Sequence, residues 1–233
     1  MINHSITEVD GYFFHIIEFT RKANTFNAEF CLSLHKILDG IDESKRNIII
    51  TTAKGIYSAG LDLKHVLTDL TFIGDHYHPL CKRWLTLPFL TIAFINGPCI
   101  AGGMMFAFCH DLRFMSNGYM QMNEIFLPSP LAKGMIAMVR NKLNNPQLFR
   151  DALLFGRKFD VDECLKYGIV DYKVNTMEQV LTILKDTNVA ETALKAPKIY
   201  SLIKTGLYSD TLLALTEHPG VVDMRLFQKY SKL

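Results

Sequence analysis

The spacing of apolar and polar residues predicts strands and helices in turn along most of the chain. Short runs rich in Ile, Phe and Val predict strands at 12–19, 47–52, 90–95, 112–115, 119–122 and 168–174. Apolar residues at helical spacing predict helices at 27–38, 131–143, 161–167 and 176–186. Helical patterns dominate the rest of the chain, with breaks at Pro197 and Pro219.

This order of elements predicts an α/β fold. We expect an α/β core over residues 1–175 and a helical region over residues 176–233, with no internal repeat or linker. The triplet Ser-Asn-Gly at 116–118 favours a tight turn, so the strands at 112–115 and 119–122 are expected to pair with each other.

An apolar run over residues 84–109 is long enough to raise the question of a membrane helix. Helix-breaking residues interrupt it at positions 88, 96–98 and 102–103. We therefore interpret the run as a buried strand, a turn and a short buried helix that starts at about Gly103. The sequence predicts no membrane span.

Composition narrows the function classes. Hydrophobic residues make up 49% and charged residues 21% of the 233 residues, as in soluble globular proteins, and the net charge of +2 argues against a nucleic-acid-binding protein. The five cysteines form no CxxC pair, which indicates reduced thiols. His76 and His78 beside Asp75 are interpreted as an exposed polar turn rather than a metal site.

The two ends of the chain differ in what they indicate about location. The first residues, MINHSITEVDG, lack the basic and apolar regions of a secretory signal. The last three residues, Ser231, Lys232 and Leu233, match the peroxisomal address of the S-K-L type. We therefore expect a peroxisomal matrix protein with the import receptor as a partner.

Two segments share a strand end, a turn of small residues and a helix start. The first, KGIYSAGLDLKHV, spans 54–66, and the second, NGPCIAGGMMFAFCHD, spans 96–111. Small residues let the backbone approach a ligand closely, and N–H groups at a helix start favour negative charge. Two such segments can aim two N–H donors at one oxygen, as in an oxyanion hole. Ordinary turns are the alternative interpretation.

Glu124 is the only acidic residue between Leu112 and Arg150, and it lies in the apolar stretch YMQMNEIFLPSP. A carboxylate in apolar surroundings has a raised pKa, which suits a group that accepts and returns a proton near neutral pH. The spacing alone equally allows a solvent-facing residue on a strand edge.

Together these segments resemble the crotonase superfamily, also called enoyl-CoA hydratase/isomerase. SAGLDLKHV is similar to the first oxyanion segment of the family, and NGPCIAGG to the second. HDLRF and GRKFDVDECLKYGIVDYKV resemble its later segments. The resemblance covers about residues 10–175 and implies a crotonase-like ββα spiral core. Within the family, YMQMNEI, NKLNNPQLFRD and the terminal SKL are most similar to the plant-type peroxisomal Δ3,Δ2-enoyl-CoA isomerases.

The resemblance implies which residues carry the chemistry. The backbone N–H groups of Leu61 and Gly102 would bind the thioester oxygen, and Glu124 would be the catalytic base. Hydratases of the family carry a pair of glutamates, and Met105 stands where one of them would lie. Ala101 replaces a frequent glycine of the second oxyanion segment.

The resemblance also implies an acyl-CoA site. The segment around the first donor would contact adenine, nearby basic side chains would meet phosphate, and apolar residues would exclude water from the acyl group. These expected substrate-binding residues are Arg21, Lys22, Ala59, Gly60, Asp62, Leu63, Lys64, Gly103, Met105, Phe126, Leu127 and Pro128, with Lys229 as a weaker candidate. Coenzyme A is part of the substrate, so we expect no separate cofactor and no metal.

The implied activity is a Δ3,Δ2-enoyl-CoA isomerase of unsaturated fatty-acid β-oxidation. The alternatives are another crotonase reaction, such as enoyl-CoA hydration or dienoyl-CoA isomerisation, and a non-catalytic member that only binds acyl-CoA. Family members form trimers or dimers of trimers through their C-terminal helices. A homotrimer assembled through residues 176–233 is therefore expected.

Overall fold

The computed structural model describes residues 2–127, 130–143 and 145–217. It contains strands β1 to β9 at Ile2–Val9, Tyr12–Phe19, Asn47–Ala53, Leu90–Asn96, Cys99–Ile100, Leu112–Asn117, Tyr119–Gln121, Lys158–Asp160 and Tyr172–Lys173. Helices α1 to α11 span Ala28–Asp39, Leu63–Thr68, His78–Thr86, Gly102–Phe108, Lys133–Lys142, Pro146–Phe155, Val161–Lys166, Met177–Asp186, Val189–Leu194, Pro197–Leu207 and Ser209–Thr216. The α/β class expected from the sequence is confirmed.

Two sheets organise the chain. The larger has six strands in the order β1-β2-β3-β4-β6-β9, and the smaller has three in the order β5-β7-β8. In the larger sheet only the β1–β2 pair is antiparallel. Because parallel strands end at the same edge of a sheet, the loops that follow β3 and β4 leave the sheet side by side.

The central strands β3 and β4 of the larger sheet are covered on both faces, which explains their apolar runs. Every residue of β3 is buried. Ile49 faces a core formed with α1, α3 and α4, whereas Ile48 and Ile50 face a second core that includes Val180 and Leu184 of α8. A strand buried on both faces needs no polar alternation, and the run NIIITT therefore has none.

The C-terminal helices pack on this core. Helix α8 contributes to the second core, α10 contacts α3, and α11 contacts α5. The division of the chain at residue 175, and the assignment of trimerisation to residues 176–233, stay predictions. Among the residues that the structure describes, no helix is both long and apolar enough to cross a bilayer.

The predicted pairing of the strands around Gly118 is wrong. Strand β6 pairs with β4 and β9, whereas β7 pairs with β5 and β8 in the other sheet. Gly118 has φ +89°, and a Cβ there would lie 2.4 Å from the carbonyl carbon of Gly97. Gly118 forms a bend between β6 and β7, and contacts distant in sequence decide which sheet each strand joins.

Other elements also differ from the prediction. Strand β1 is almost wholly exposed and lacks the apolar alternation that identifies a strand. The predicted strand at 168–174 is reduced to Tyr172–Lys173. Residues Ile73–Tyr77 form a π-helical turn that leads into α3. The expectation of an exposed polar turn is wrong for His78, which is fully buried, whereas Asp75 is exposed and His76 is half-buried. All five cysteines are buried free thiols.

A buried ion pair attaches α10 to the core. The ammonium of Lys204 lies 2.9 Å from Oδ1 of Asp111, and both side chains are almost fully buried. The other carboxylate oxygen of Asp111 accepts hydrogen bonds from the backbone N–H and the hydroxyl of Thr91, both at 2.8 Å. These contacts hold the C-terminal helices against the chain segment that follows α4.

We predict that Lys204→Met lowers the free energy of unfolding by about 3 kcal/mol, because it leaves the Asp111 carboxylate buried without its counter-charge. The control is Lys133→Met, which removes an exposed ion pair to Glu217 and should change stability by less than about 1 kcal/mol. Urea unfolding of both variants measures the difference. Equal effects would contradict a structural role for the buried pair.

Candidate active site

The loop after β3 and the loop after β4 are joined directly to each other. Ser58 of the first loop forms a parallel β-bridge with Cys99 of the second. The Ser58 N–H donates to the carbonyl of Pro98 at 3.3 Å, and the Ile100 N–H donates to the carbonyl of Ser58 at 2.9 Å. The two segments predicted to carry donors therefore form one continuous backbone surface.

Glycines permit this close approach. A Cβ on Gly103 would lie 2.6 Å from Cβ of Ser58, and one on Gly60 would lie 2.9 Å from Cβ of Ala101. Gly60 also has φ +95°, which a residue with a side chain rarely adopts. The two loops leave no room for a side chain at Gly60 or Gly103.

Leu61 and Gly102 lie next to each other where the loops meet. A Cβ on Gly102 would be 3.3 Å from the Leu61 nitrogen. On either side of Leu61, the carbonyl of Gly60 accepts from the Phe26 N–H and the Asp62 N–H donates to the carbonyl of Phe26, both at 2.8 Å. In such a parallel bridge the N–H of Leu61 itself points away from Phe26.

Neither of these two amides has an acceptor within the described part of the chain. Gly102 is the first residue of α4, where helix geometry leaves the N–H without an intrahelical partner. Two backbone N–H groups are thus free at one point on the surface of a cavity. This arrangement can bind an oxygen atom that carries negative charge.

Ala101 has an unusual conformation. Its φ is +53° and its ψ is −125°, a region that favours glycine. Its N–H donates to the carbonyl of Gln121 at 2.8 Å, and its carbonyl accepts from the Met105 N–H at 3.1 Å. These bonds hold the peptide that contains the Gly102 N–H against the local strain.

Glu124 faces the same cavity from a different element. It is the first residue of a 3-10 turn, Glu124–Phe126, and its side chain lines the cavity with only 9% of the residue exposed. Its Oε2 is buried without a hydrogen-bond partner among the described residues. Burial raises the pKa of this carboxyl to about 7, an effect that its own backbone amide only partly offsets.

The cavity has a volume of about 370 Å³ and is mostly apolar. Of the described residues that line it, only Asp62, Lys64 and Glu124 carry charge. The Asp62 carboxylate caps α2 by accepting from the backbone N–H groups of Lys64 and His65, at 3.1 and 3.2 Å. Lys64 is exposed, so Glu124 is the buried charged group that faces a ligand among the apolar walls.

The structure brings together most of the predicted site residues. The cavity is lined by Ala59, Leu61, Asp62, Leu63, Lys64, Gly102, Met105, Glu124 and Leu127. Gly60 and Gly103 lie where the loops touch and are not among the lining residues. Pro128 and Lys229 lie outside the described residues.

Three other predicted residues lie away from the cavity. The guanidinium of Arg21 pairs with Glu29 at 2.7 Å, and Lys22 is exposed. Phe126 is 63% exposed, and its ring lies against Gly156, so it does not form the expected wall. A 3-10 turn carries successive side chains to different sides, which the sequence pattern alone did not reveal.

The sequence patterns do not identify several residues that line the cavity. These are Thr25, Val66, Ile73, Ala101, Pro130, Leu131 and Met135. Leu131 and Met135 belong to a segment whose apolar spacing predicts core packing, and a cavity wall has the same pattern. The substitution at Ala101 was visible in the sequence, but its strained backbone was not.

We predict that Glu124→Gln stabilises the fold at alkaline pH. The pKa of Glu124 is raised from its ordinary value of 4.5 to about 7, so the folded state holds the proton more tightly than the unfolded state. Proton binding by Glu124 therefore stabilises the folded state. This stabilisation is fully present below about pH 4.5 and is lost as the pH rises through about 7. Near pH 8 the free energy of unfolding of Glu124→Gln should exceed that of wild type by about 3 kcal/mol.

Urea unfolding of wild type and Glu124→Gln at about pH 4.5 and about pH 8 tests this expectation. The gain should be large at the higher pH and small at the lower one. Glu29→Gln is the control, because Arg21 holds the pKa of Glu29 below its usual range. If Glu124→Gln raises the free energy of unfolding equally at both pH values, burial of the ionised carboxylate does not destabilise the wild-type fold.

Comparison with known proteins identifies the family of the chain. The family model described as enoyl-CoA hydratase/isomerase matches residues 15–232. Enoyl-CoA delta isomerase 2, peroxisomal, of Arabidopsis thaliana is 29% identical over 181 residues, covering 72% of this chain and 75% of the relative. Enoyl-CoA delta isomerase 1, mitochondrial, of Mus musculus is 32% identical over 151 residues, covering 61% and 51%.

The fold is shared more widely. A probable enoyl-CoA hydratase from Mycobacterium tuberculosis superposes with a TM-score of 0.78 at 18% identity, covering 98% of both chains. A relative of different activity, 4-chlorobenzoyl coenzyme A dehalogenase-2 of an Arthrobacter species, is 27% identical over 92% of this chain and 82% of its own. The matched span and the crotonase fold lead to one conclusion: the chain belongs to the enoyl-CoA hydratase/isomerase family.

Proposed function

We propose that this protein is a Δ3,Δ2-enoyl-CoA isomerase, which moves the double bond of a 3-enoyl-CoA to the 2-position during fatty-acid β-oxidation. One observation supports this more than any other. A single buried carboxylate, Glu124, shares an apolar cavity with two free backbone amides. The peroxisomal relative from Arabidopsis thaliana and the mitochondrial relative from Mus musculus are both named enoyl-CoA delta isomerases, which supports isomerisation as the reaction.

The proposed reaction is a proton transfer within one substrate. The ionised Glu124 takes a proton from C2. The electron pair of that C–H bond forms a double bond between C1 and C2, and the carbonyl π pair moves onto the thioester oxygen to give a dienolate. The Leu61 and Gly102 amides stabilise this oxygen. The protonated Glu124 then gives its proton to C4, which leaves a double bond between C2 and C3.

The apolar surroundings of Glu124 favour this reaction over hydration. Hydration needs a positioned water, and a second carboxylate is one way to hold it. Met105 lines the cavity at the position where family hydratases are expected to carry that carboxylate, and it is 1% exposed. Leu127 and Met135 add further apolar surface. Such a wall excludes water from the dienolate.

The raised pKa of Glu124 suits a group that must both accept and return a proton. A base with a pKa of about 7 loses little free energy in either direction at neutral pH. The transfer uses a carboxylate and two amides, so no separate cofactor is part of the proposal. Coenzyme A enters as part of the substrate.

For the coenzyme A portion we propose binding along the first loop. Lys64 is exposed at the edge of the cavity and is available to a phosphate, while Asp62 and Leu63 flank the expected adenine site. Arg21 and Lys22 lie away from the cavity lining, and Arg21 is engaged by Glu29. Lys64 is therefore the phosphate ligand that we favour.

We also propose a peroxisomal location and a homotrimer. The terminal Ser231-Lys232-Leu233 lies outside the described residues, and the peroxisomal relatives of Arabidopsis support the location. Exposed apolar side chains on α10, namely Ile199, Leu202, Ile203 and Leu207, support burial of this helix between subunits.

Glu124→Gln should lower kcat for 3-hexenoyl-CoA by roughly 10²–10⁴-fold, because the variant has no base. In wild type, kcat/KM should rise with pH through about 7, the pKa of Glu124, and then level off. Below that value it should fall about tenfold per pH unit. The measurement follows the absorbance of the conjugated thioester. Full activity in the variant would refute the proposal.

A second assay separates isomerisation from hydration. Wild type is offered 2-enoyl-CoA, and formation of the 3-hydroxy product is measured. Isomerisation of 3-enoyl-CoA with no hydration supports the proposal. Hydration as the faster reaction would replace it, and binding of both thioesters without turnover would indicate a non-catalytic member.

Gly60→Ala should lower kcat/KM by at least about 100-fold, because its Cβ would lie 3.1 Å from the Gly102 nitrogen and displace a donor. The matched control is Gly55→Ala. Gly55 has a similar φ of +89°, but a Cβ there meets nothing within 4 Å. Both variants should lose about 1–3 kcal/mol of stability from backbone strain. Equal losses of activity would contradict the role of the Gly60–Gly102 contact.

A further inference from the structure

Tyr77 makes a buried contact with the backbone of the proposed oxyanion site. Its hydroxyl donates a hydrogen bond to the carbonyl of Gly102 at 2.6 Å, and the residue is fully buried. Burial raises the pKa of Tyr77 well above its usual range, so the hydroxyl stays protonated and remains a donor. Tyr77 does not line the cavity, and its effect on a ligand is therefore indirect.

The bonded carbonyl belongs to the residue whose N–H is the proposed donor. On the other side of that N–H, Ala101 is held in its strained conformation by the hydrogen bond to Gln121. A strained backbone persists only where its surroundings restrain it from several directions. Gln121 binds the N–H of Ala101, which precedes the Gly102 N–H in the chain, and Tyr77 binds the carbonyl that follows it, so the backbone is restrained on both sides of this N–H along the chain.

The ring of Tyr77 also connects this amide to the other one. It packs edge-to-face against Phe26, with ring centroids 5.4 Å apart and an interplanar angle of 76°. The main chain of Phe26 holds Gly60 and Asp62, the two neighbours of Leu61. The hydroxyl of Tyr77 thus fixes one donor, and its ring supports the residue that fixes the other.

The location of Tyr77 fits such a role. It ends the π-helical turn Ile73–Tyr77, and Ile73 at the other end of the turn lines the cavity. Turns of this kind are rare and occur frequently at functional sites. The competing explanation is that a buried tyrosine simply needs a hydrogen-bond partner. That explanation predicts an effect on stability alone.

We propose that Tyr77 is a positioning residue that sets the direction of the Gly102 N–H toward the thioester oxygen. The role rests on the proposed function, because it assumes that this amide stabilises a dienolate. It assigns Tyr77 no contact with substrate. Loss of its hydroxyl would loosen one donor while leaving the cavity and Glu124 unchanged.

The test compares Tyr77→Phe with Tyr57→Phe. Tyr57 is equally buried, and its hydroxyl lies 2.7 Å from Oγ1 of Thr51 rather than on the site backbone. Both variants lose one buried hydrogen bond. Only Tyr77→Phe should lower kcat, by roughly tenfold, with KM changed by less than about twofold. An unchanged kcat, or equal decreases in both variants, would overturn the proposal.

A spectroscopic measurement makes the test independent of turnover. When 2-hexenoyl-CoA binds, two donors at its carbonyl should polarise the conjugated thioester and shift its absorbance to longer wavelength. The shift should be smaller in Tyr77→Phe than in wild type and Tyr57→Phe, and an equal shift in all three would refute the role of Tyr77. A wild type that shows the shift but does not isomerise 3-hexenoyl-CoA would refute the proposed function and leave the role of Tyr77 intact.

A second background covers the case in which Tyr77→Phe does not fold. Ala101→Gly relieves the steric strain of a side chain at positive φ and should raise stability. Tyr77→Phe in this background is then compared with Ala101→Gly alone, by the same kcat, KM and absorbance measurements. A smaller absorbance shift and a roughly tenfold lower kcat support the proposal. No difference between the two would refute it.

Discussion

The structure depends on the direct contact between the loop after β3 and the loop after β4. Their backbones are joined by the Ser58–Cys99 bridge, and glycines at 60, 102 and 103 remove the side chains that would separate them. The parallel register of β3 and β4 delivers both loops to the same edge of the sheet. Because the amides of Leu61 and Gly102 lie on different loops, the contact between the loops fixes their relative position.

The second constraint is electrostatic. Glu124 is buried at a cost in stability, and its pKa is raised as a result. A fold selected for stability alone would place an apolar residue there, as it does at Met105 and Met135 in the same cavity. A carboxylate with a pKa of about 7 that shares a cavity with two unpaired amides is the arrangement that the proposed proton transfer needs.

Much of this was predictable from local patterns. The β-branched run at 47–52 predicted a strand because burial on both faces removes polar alternation, and the small residues around Leu61 and Gly102 predicted the loops. Properties that depend on distant contacts were not predictable. The pairing of β6 and β7, the outward direction of Phe126 and the hydrogen bond from Tyr77 all depend on residues remote in sequence.

An experimental structure with a bound, unreactive acyl-CoA thioester analogue tests the proposed site most directly. The thioester oxygen should lie about 2.7–3.1 Å from the backbone nitrogens of both Leu61 and Gly102. The Glu124 carboxylate should lie beside C2 and C4 of the acyl group. A thioester oxygen bound elsewhere, or an acyl chain that leaves Glu124 out of reach of C2, would contradict the proposed mechanism.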